Sequence, residues 1–227
     1  LIMSFDVAAV RGQFPILAEI IDGLPVHYLD NGASAQTPLA VMDAVRHYET
    51  TSRATVLRGV HRLAERATEA YENARAQVAS FLGVPTMEVV FTGGCPAASS
   101  LVAFSCGSLL KAGDRILLSE LEHHSNIVPW QLLRSRSGIE LDMLPVTTDG
   151  RIDLSALPRL LTPKTKLVSL AHVSNVTGAL LDVRAVVEAA KAVGAKVMID
   201  GAHRAPHGPL DLPSLGIDFY AFAGHKA

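Results

Sequence analysis

Cysteine is scarce in this chain: Cys95 and Cys106 are the only two in 227 residues. That is too few to staple a domain of this size, and the two lack the paired spacing of a zinc ribbon. A disulfide scaffold is excluded, and a reducing cytoplasm is expected. An excess of either charge is also missing. Twenty Lys and Arg against 22 Asp and Glu leave a net charge of −2, which offers no footprint for nucleic acid or an anionic membrane surface. No apolar run approaches the roughly 18 residues of a membrane span, since the most apolar stretch, 97–110, is broken by serines and a glycine and stops at Lys111. Leu1 to Asp6 show no basic segment leading into an apolar core, so no signal peptide is expected. With these classes removed, a small-molecule partner is favoured.

What the chain does have is apolar residues, 49% against 19% charged, enough for a substantial core. From about Thr68 onward helical and strand patterns alternate, the signature of crossover units around a parallel sheet. Apolar or small residues at Ala64, Ala67, Tyr71, Ala74, Val78 and Phe81 predict a helix over 64–82, ended by Gly83. Strands are expected at 87–92, 115–119, 139–146, 166–173, 196–200 and 218–222. Ser125 or Asn126 is expected to cap a helix that tolerates Pro129 in its first turn and ends at Gly138, and Asp182 to cap another running through Ala192. Residues 1–60, rich in turn formers, read as an irregular arm packed on a main domain of residues 61–227.

Open sheets of this kind bind ligands beyond the carboxyl ends of their strands, and several such ends here carry polar clusters. Gly93-Gly94, between a strand and a helix starting near Pro96, offers backbone N–H groups to an anion, although the same pair also reads as a tight turn. Asp200 ends an apolar strand, where a carboxylate needs a cationic or hydrogen-bonding partner, unless it caps the next loop. Lys226 follows another apolar strand and is either a nucleophilic amine or a surface charge. His123 and His124 can stack, act as a base or form a polar loop. A metal site at His203 and His207 is disfavoured, because Pro206 interrupts the helix their spacing would need. Taken together, an anion loop, an aromatic ring, a strand-end carboxylate and a strand-end lysine are the parts that hold pyridoxal phosphate.

The segments FDVAAVRGQFPIL (5–17), YLDNGASAQTP (28–38), RGVHRLAERATEAYENAR (58–75), SELEHHSNIVPWQLL (119–133), TKLVSLAHVSNVTG (165–178), KVMIDGAHRAPHGPLDL (196–212) and DFYAFAGHK (218–226) resemble the SUF-type cysteine desulfurases and selenocysteine lyases. These belong to the class V aminotransferase group of fold-type I pyridoxal-phosphate enzymes. The resemblance implies an α/β three-layer sandwich with a mostly parallel mixed sheet, the large domain of a PLP-dependent transferase. It also implies an enzyme that removes sulfur from cysteine, leaving alanine and a protein persulfide for iron–sulfur cluster assembly or other sulfur transfer. A cytoplasmic homodimer with an amino-acid substrate and a sulfur-acceptor protein is the implied setting.

Matched by motif, Lys226 is the lysine that bonds the cofactor and moves protons at the substrate Cα. His123 is the ring stacked on the pyridine and a proposed acid/base. Asp200 is the partner of the pyridine nitrogen, and His203 a donor to the cofactor's phenolic oxygen. Gly94, Cys95, Pro96 and His225 lie at the phosphate, while Asn175 and Ala33 lie toward the substrate. The sequence departs from the family pattern at four places. Cys95-Pro96 replaces two threonines, which removes two hydroxyl donors and one N–H. Ala223 replaces a serine, His203 a glutamine and Leu57 a histidine. The segments cover about the N-terminal half of such an enzyme, so the persulfide cysteine and the carboxylate-binding arginine match no residue here. The alternatives are a truncated or degenerate homologue serving as a non-catalytic scaffold, and a class V lyase, epimerase or aminotransferase of other chemistry.

Overall fold

The computed structural model describes residues 5–227. The reading of the first residues as leaderless falls largely on 1–4, outside the described residues. The chain divides into two compact units, one running to Ser80 and including Lys226, the other spanning Phe81–His225 with Ala227.

The first unit begins with α1 (Val7–Arg11), capped by the Asp6 carboxylate, which accepts from the Ala9 N–H at 3.0 Å. A short antiparallel hairpin follows, β1 (Ile20–Ile21) and β2 (Leu24–Pro25), turning at Asp22-Gly23 with both residues at positive φ. Arg11 donates to the carbonyl oxygens of Leu17 and Val26, at 2.6 and 3.0 Å, and ties the region together through backbone acceptors. Two helices complete the unit, α2 (Leu39–Thr51) and α3 (Arg62–Leu82). The segment expected to be irregular thus contains a 13-residue helix. None of its side chains is buried, so no burial period marks it. The helix read from Ala64 onward is present as α3, with Ala64, Ala67, Ala79 and Leu82 as its buried positions.

The second unit runs α4 (Cys95–Gly107), β3 (Arg115–Ser119), α5 (Val128–Ser137), β4 (Glu140–Leu144), α6 (Leu157–Leu160), β5 (Thr165–Ala171), α7 (Val183–Ala192), β6 (Lys196–Asp200), α8 (Leu212–Leu215) and β7 (Phe219–Ala221). The five strands form one parallel sheet in the order β4-β3-β5-β6-β7. Alternation along the strands sends side chains to two apolar layers. Leu117, Val168, Leu170, Val197 and Ile199 pack with Val183, Val186, Val187 and Ala190 of α7 on one face. Ile116, Leu118, Leu167 and Met198 pack with Ala103 of α4 and Trp130 of α5 on the other. These layers make the expected α/β sandwich. The α7 face follows its sequence period, and Asp182 caps it by accepting from the Ala185 N–H at 3.1 Å.

Two expectations are corrected. Residues 87–92 form no strand: a 3-10 turn at Thr86–Glu88 leads into irregular chain outside the sheet ladders. A β-branched run becomes a strand only when a neighbour accepts its ladder, and here β4 and β7 are the sheet's edges while Met87 and Val90 stand exposed. Neither Ser125 nor Asn126 caps α5. The residue before it is Ile127, which makes no side-chain capping bond. The Asn126 side chain turns into the protein instead.

Candidate active site

The strand order fixes where a ligand can enter. The chain leaves β3 for β4 on one side and then returns to place β5 on the other side of β3, so the connections diverge between β3 and β5. Such a reversal opens a crevice at the carboxyl ends of the strands. Parallel pairing aligns those ends, with Ala171 opposite Asp200 and Asp200 opposite Ala221. The loops carrying His123, Asn175, His203 and His225 therefore all leave the same edge.

A buried polar network fills the floor of this crevice. Glu122 accepts from Ser119 Oγ at 2.5 Å and from the Ala171 N–H at 3.1 Å on Oε1, and from Asn126 Nδ2 at 2.7 Å on Oε2. Asn126 Oδ1 in turn accepts from Trp130 Nε1 at 3.1 Å and from Ser169 Oγ at 2.6 Å. All six residues are buried. Burial pushes the Glu122 carboxyl up to about 7, against the pull of its three donors. Above this floor His123 is exposed, and its Nδ1 accepts from the Ser125 N–H at 3.2 Å. That bond leaves the proton of the neutral ring on Nε2. His124 meets the His123 ring edge-on, with centroids 6.0 Å apart.

The glycine loop and the strand-end carboxylate are in direct contact. Gly94, at φ 115°, turns the chain into α4, and the Cys95 thiol donates to Asp200 Oδ1 at 3.3 Å. The Ala202 N–H reaches the same oxygen at 2.9 Å. Asp200 is 5% exposed, and both of these donors meet it on Oδ1. A nearly buried carboxylate suits an N–H of cationic character.

A second pair, part-buried, braces the same edge. The His172 N–H donates to the Asp200 carbonyl at 2.8 Å, and His172 Nδ1 lies 3.2 Å from the Tyr220 hydroxyl. Burial, aided by the Arg204 charge, lowers His172 to about 4. Burial raises the Tyr220 phenol well above its ordinary range, so both groups are neutral near pH 7. The Tyr220 ring lies against Gly201, where an added Cβ would come 2.0 Å from Cζ.

Of the residues chosen from sequence, Cys95 and Asp200 are bonded to each other, and Gly94 precedes them at the α4 N-terminus. Pro96, in the first turn of α4, is exposed, as are Asn175 in the turn after β5 and His225 in the 3-10 turn Gly224–Lys226; His203 is half-buried after β6. Lys226, half-buried, is grouped with the first unit, as is Ala33, which is exposed in a turn closed by its N–H to the Asp30 carbonyl at 3.1 Å. Sequence reasoning missed the roles of Ser119, Glu122, Asn126, Trp130, Ser169, His172 and Tyr220. The four-residue spacing of Glu122, Asn126 and Trp130 was the available signal for the first network. Nothing local linked His172 to Tyr220. Among the described residues no group of three or more His, Cys, Asp or Glu gathers as a metal site, and no helix is long and apolar enough to cross a membrane.

These residues fit pyridoxal phosphate: the nearly buried Asp200 carboxylate suits a protonated ring nitrogen, the α4 N-terminus a phosphate, and the exposed His123 ring a flat heteroaromatic. Residues 27–227 match the family model described as aminotransferase class-V. A probable cysteine desulfurase of Vibrio cholerae is 45% identical over 99% of this chain and 56% of its own length. The apo structure of a cysteine desulfurase from Thermococcus onnurineus NA1 superposes with a TM-score of 0.89 at 37% identity, covering 98% of this chain and 54% of that one. A C-DES mutant with glycine covalently linked to its PLP cofactor gives a TM-score of 0.82 at 26% identity, covering 95% of this chain and 55% of that one. The chain spans about half the length of the curated relatives it matches. A switch-point crevice with a strand-end carboxylate, together with a match over most of its length, shows that the chain belongs to the class-V aminotransferase family.

Proposed function

We propose that the chain forms the cofactor-binding half of a PLP-dependent enzyme of the cysteine desulfurase type, which takes sulfur from cysteine and leaves alanine and a protein-bound persulfide. The observation that carries this reading is Asp200: a nearly buried carboxylate at the end of β6, on the edge where the strand-end loops gather, anchored through Oδ1 by Cys95 and the Ala202 N–H. The names of the relatives support the substrate, and the switch-point geometry supports the place. When bound, the cofactor supplies an electron sink for a carbanion at the substrate Cα.

In this reading, Asp200 would hold a proton on the ring nitrogen. His123 would cover one face of the ring, with Nε2–H available as a donor. The α4 N-terminus at Gly94, Cys95 and Pro96, together with His225, would receive the phosphate, with fewer donors than the family pattern provides. His203 would donate to the phenolic oxygen, and Asn175 and Ala33 would lie toward the substrate. Lys226 would bond the cofactor through its amine and then carry the Cα proton. A homodimer in the cytoplasm, passing sulfur to an acceptor protein, is the setting that fits the reading.

The test is chemical trapping. Incubation with pyridoxal phosphate followed by borohydride should add the reduced cofactor's mass to the peptide containing Lys226, and the untreated protein should absorb visible light. A colourless protein with an unlabelled Lys226 at saturating cofactor would overturn the reading. Release of alanine and sulfide from cysteine by the full-length protein separates desulfuration from another class V chemistry.

A further inference from the structure

The Glu122 side chain staples both flanks of the loop that presents His123. Ser119 lies three residues before it at the end of β3, Asn126 four residues after it ahead of α5, and both donate to its carboxylate. A third donor, the Ala171 N–H, comes from β5 across the switch point. Within the loop the Asn126 N–H donates to the His123 carbonyl at 2.8 Å, so the backbone of residue 123 is bonded directly to a residue that Glu122 holds. We propose that Glu122 is the positioning residue for His123, acting by accepting on both carboxylate oxygens from donors on three separate elements.

The polarity of the network makes this specific to a carboxyl group. Trp130 Nε1–H can only donate, which forces Asn126 to turn Oδ1 toward it and Nδ2 toward Glu122. The Ala171 N–H can also only donate. Residue 122 must therefore accept at both oxygen positions. A glutamine of the same shape would set an NH2 against either Asn126 Nδ2 or the Ala171 N–H, leaving a buried donor unmatched. The conflict has one exit. If Trp130 becomes Phe, Asn126 can rotate by half a turn, its oxygen then facing the new amide NH2 at position 122 and its own NH2 facing Ser169, whose hydroxyl can accept.

The importance of the ring rests on the cofactor reading above, but the positioning claim can be tested apart from it. Histidine-labelled full chain without cofactor would be compared by NMR as the parent, Glu122→Gln, Trp130→Phe and the double variant, with cofactor capture measured in parallel. Glu122→Gln should displace or broaden the His123 ring resonances and weaken cofactor capture at least tenfold. The double variant should return both toward the Trp130→Phe values. A Glu122→Gln chain that fails to fold while the double variant folds supports the claim in the same way. Unchanged His123 resonances in Glu122→Gln, a double variant no better than the two losses combined, or failure of both to fold would overturn it. If the ring responds as expected while His123→Ala captures cofactor normally, the positioning stands and the cofactor reading of His123 falls.

Discussion

At the residue scale, opposed pKa shifts make the site's buried groups visible in solution. His172 titrates near 4 in the native chain against an ordinary 6.5. Between those values the unfolded chain holds a proton that the native chain rejects, so this group's contribution to stability is lost as pH falls from 6.5 toward 4. Glu122 runs the other way, near 7 against an ordinary 4.5, and its contribution is lost as pH rises from 4.5 toward 7. The two slopes oppose each other where they overlap. Relative to the parent, His172→Asn should therefore show unfolding free energy falling more steeply between pH 4.5 and 6.5, and Glu122→Gln should show it rising more steeply. Denaturant titrations across that range check this, and parallel curves for all three proteins would contradict it. The proposed phosphate contacts offer a second test, because Pro96 and Ala223 stand where the family pattern has hydroxyl donors. Pro96→Thr and Ala223→Ser should each tighten pyridoxal-phosphate binding about tenfold, one added hydrogen bond to an anion apiece; unchanged affinity by fluorescence titration would mean that the phosphate is held elsewhere. Asp200 was legible in the sequence because a carboxylate ending the apolar run KVMID needs a partner. Glu122 was less so, because its three partners lie on three elements and only their packing reveals that it accepts from all of them.

At the element scale, strands with partners were read well. Arg115–Ser119 and Lys196–Asp200 appear with the expected bounds, since buried parallel strands are short apolar runs between turn signals. Residues 87–92 have the same local chemistry and form no strand, because pairing is a property of the neighbour as much as of the segment. Helix α2 was missed because the turn formers before it drew the whole segment into an irregular reading, although Val41, Val45 and Tyr48 fall at helical spacing; its apolar side chains are not buried. Connections also carry constraints that composition hides. Gly201 follows β6 where β7 presses Tyr220 against the backbone, and an added Cβ would overlap the phenol ring. Gly201→Ala should therefore cost about 1–3 kcal/mol and lower the melting temperature by roughly 5 °C, displacing the His172–Tyr220 pair. A calorimetric scan that matches the parent would show that the ring moves aside freely.

At the scale of the whole molecule, the fold class and the family were legible because the alternating pattern and the motifs extend through the chain, and the family match covers residues 27–227. The division into two units at Ser80 was not, because it falls inside α3, whose sequence shows no break. The second unit leaves the large apolar side chains of Met87, Val90, Phe104 and Leu109 exposed to water. The 227-residue chain by itself should accordingly bind an environment-sensitive apolar dye in its folded state, and absence of dye fluorescence would contradict that. The central claim is narrower: the carboxylate at the end of β6 holds a proton on the nitrogen of a bound pyridine ring. Nitrogen NMR of the protein loaded with pyridine-15N pyridoxal phosphate tests it most directly. The ring nitrogen should be protonated at neutral pH and lose its proton in Asp200→Asn. An unprotonated nitrogen in the parent, or a resonance indifferent to that substitution, would contradict it.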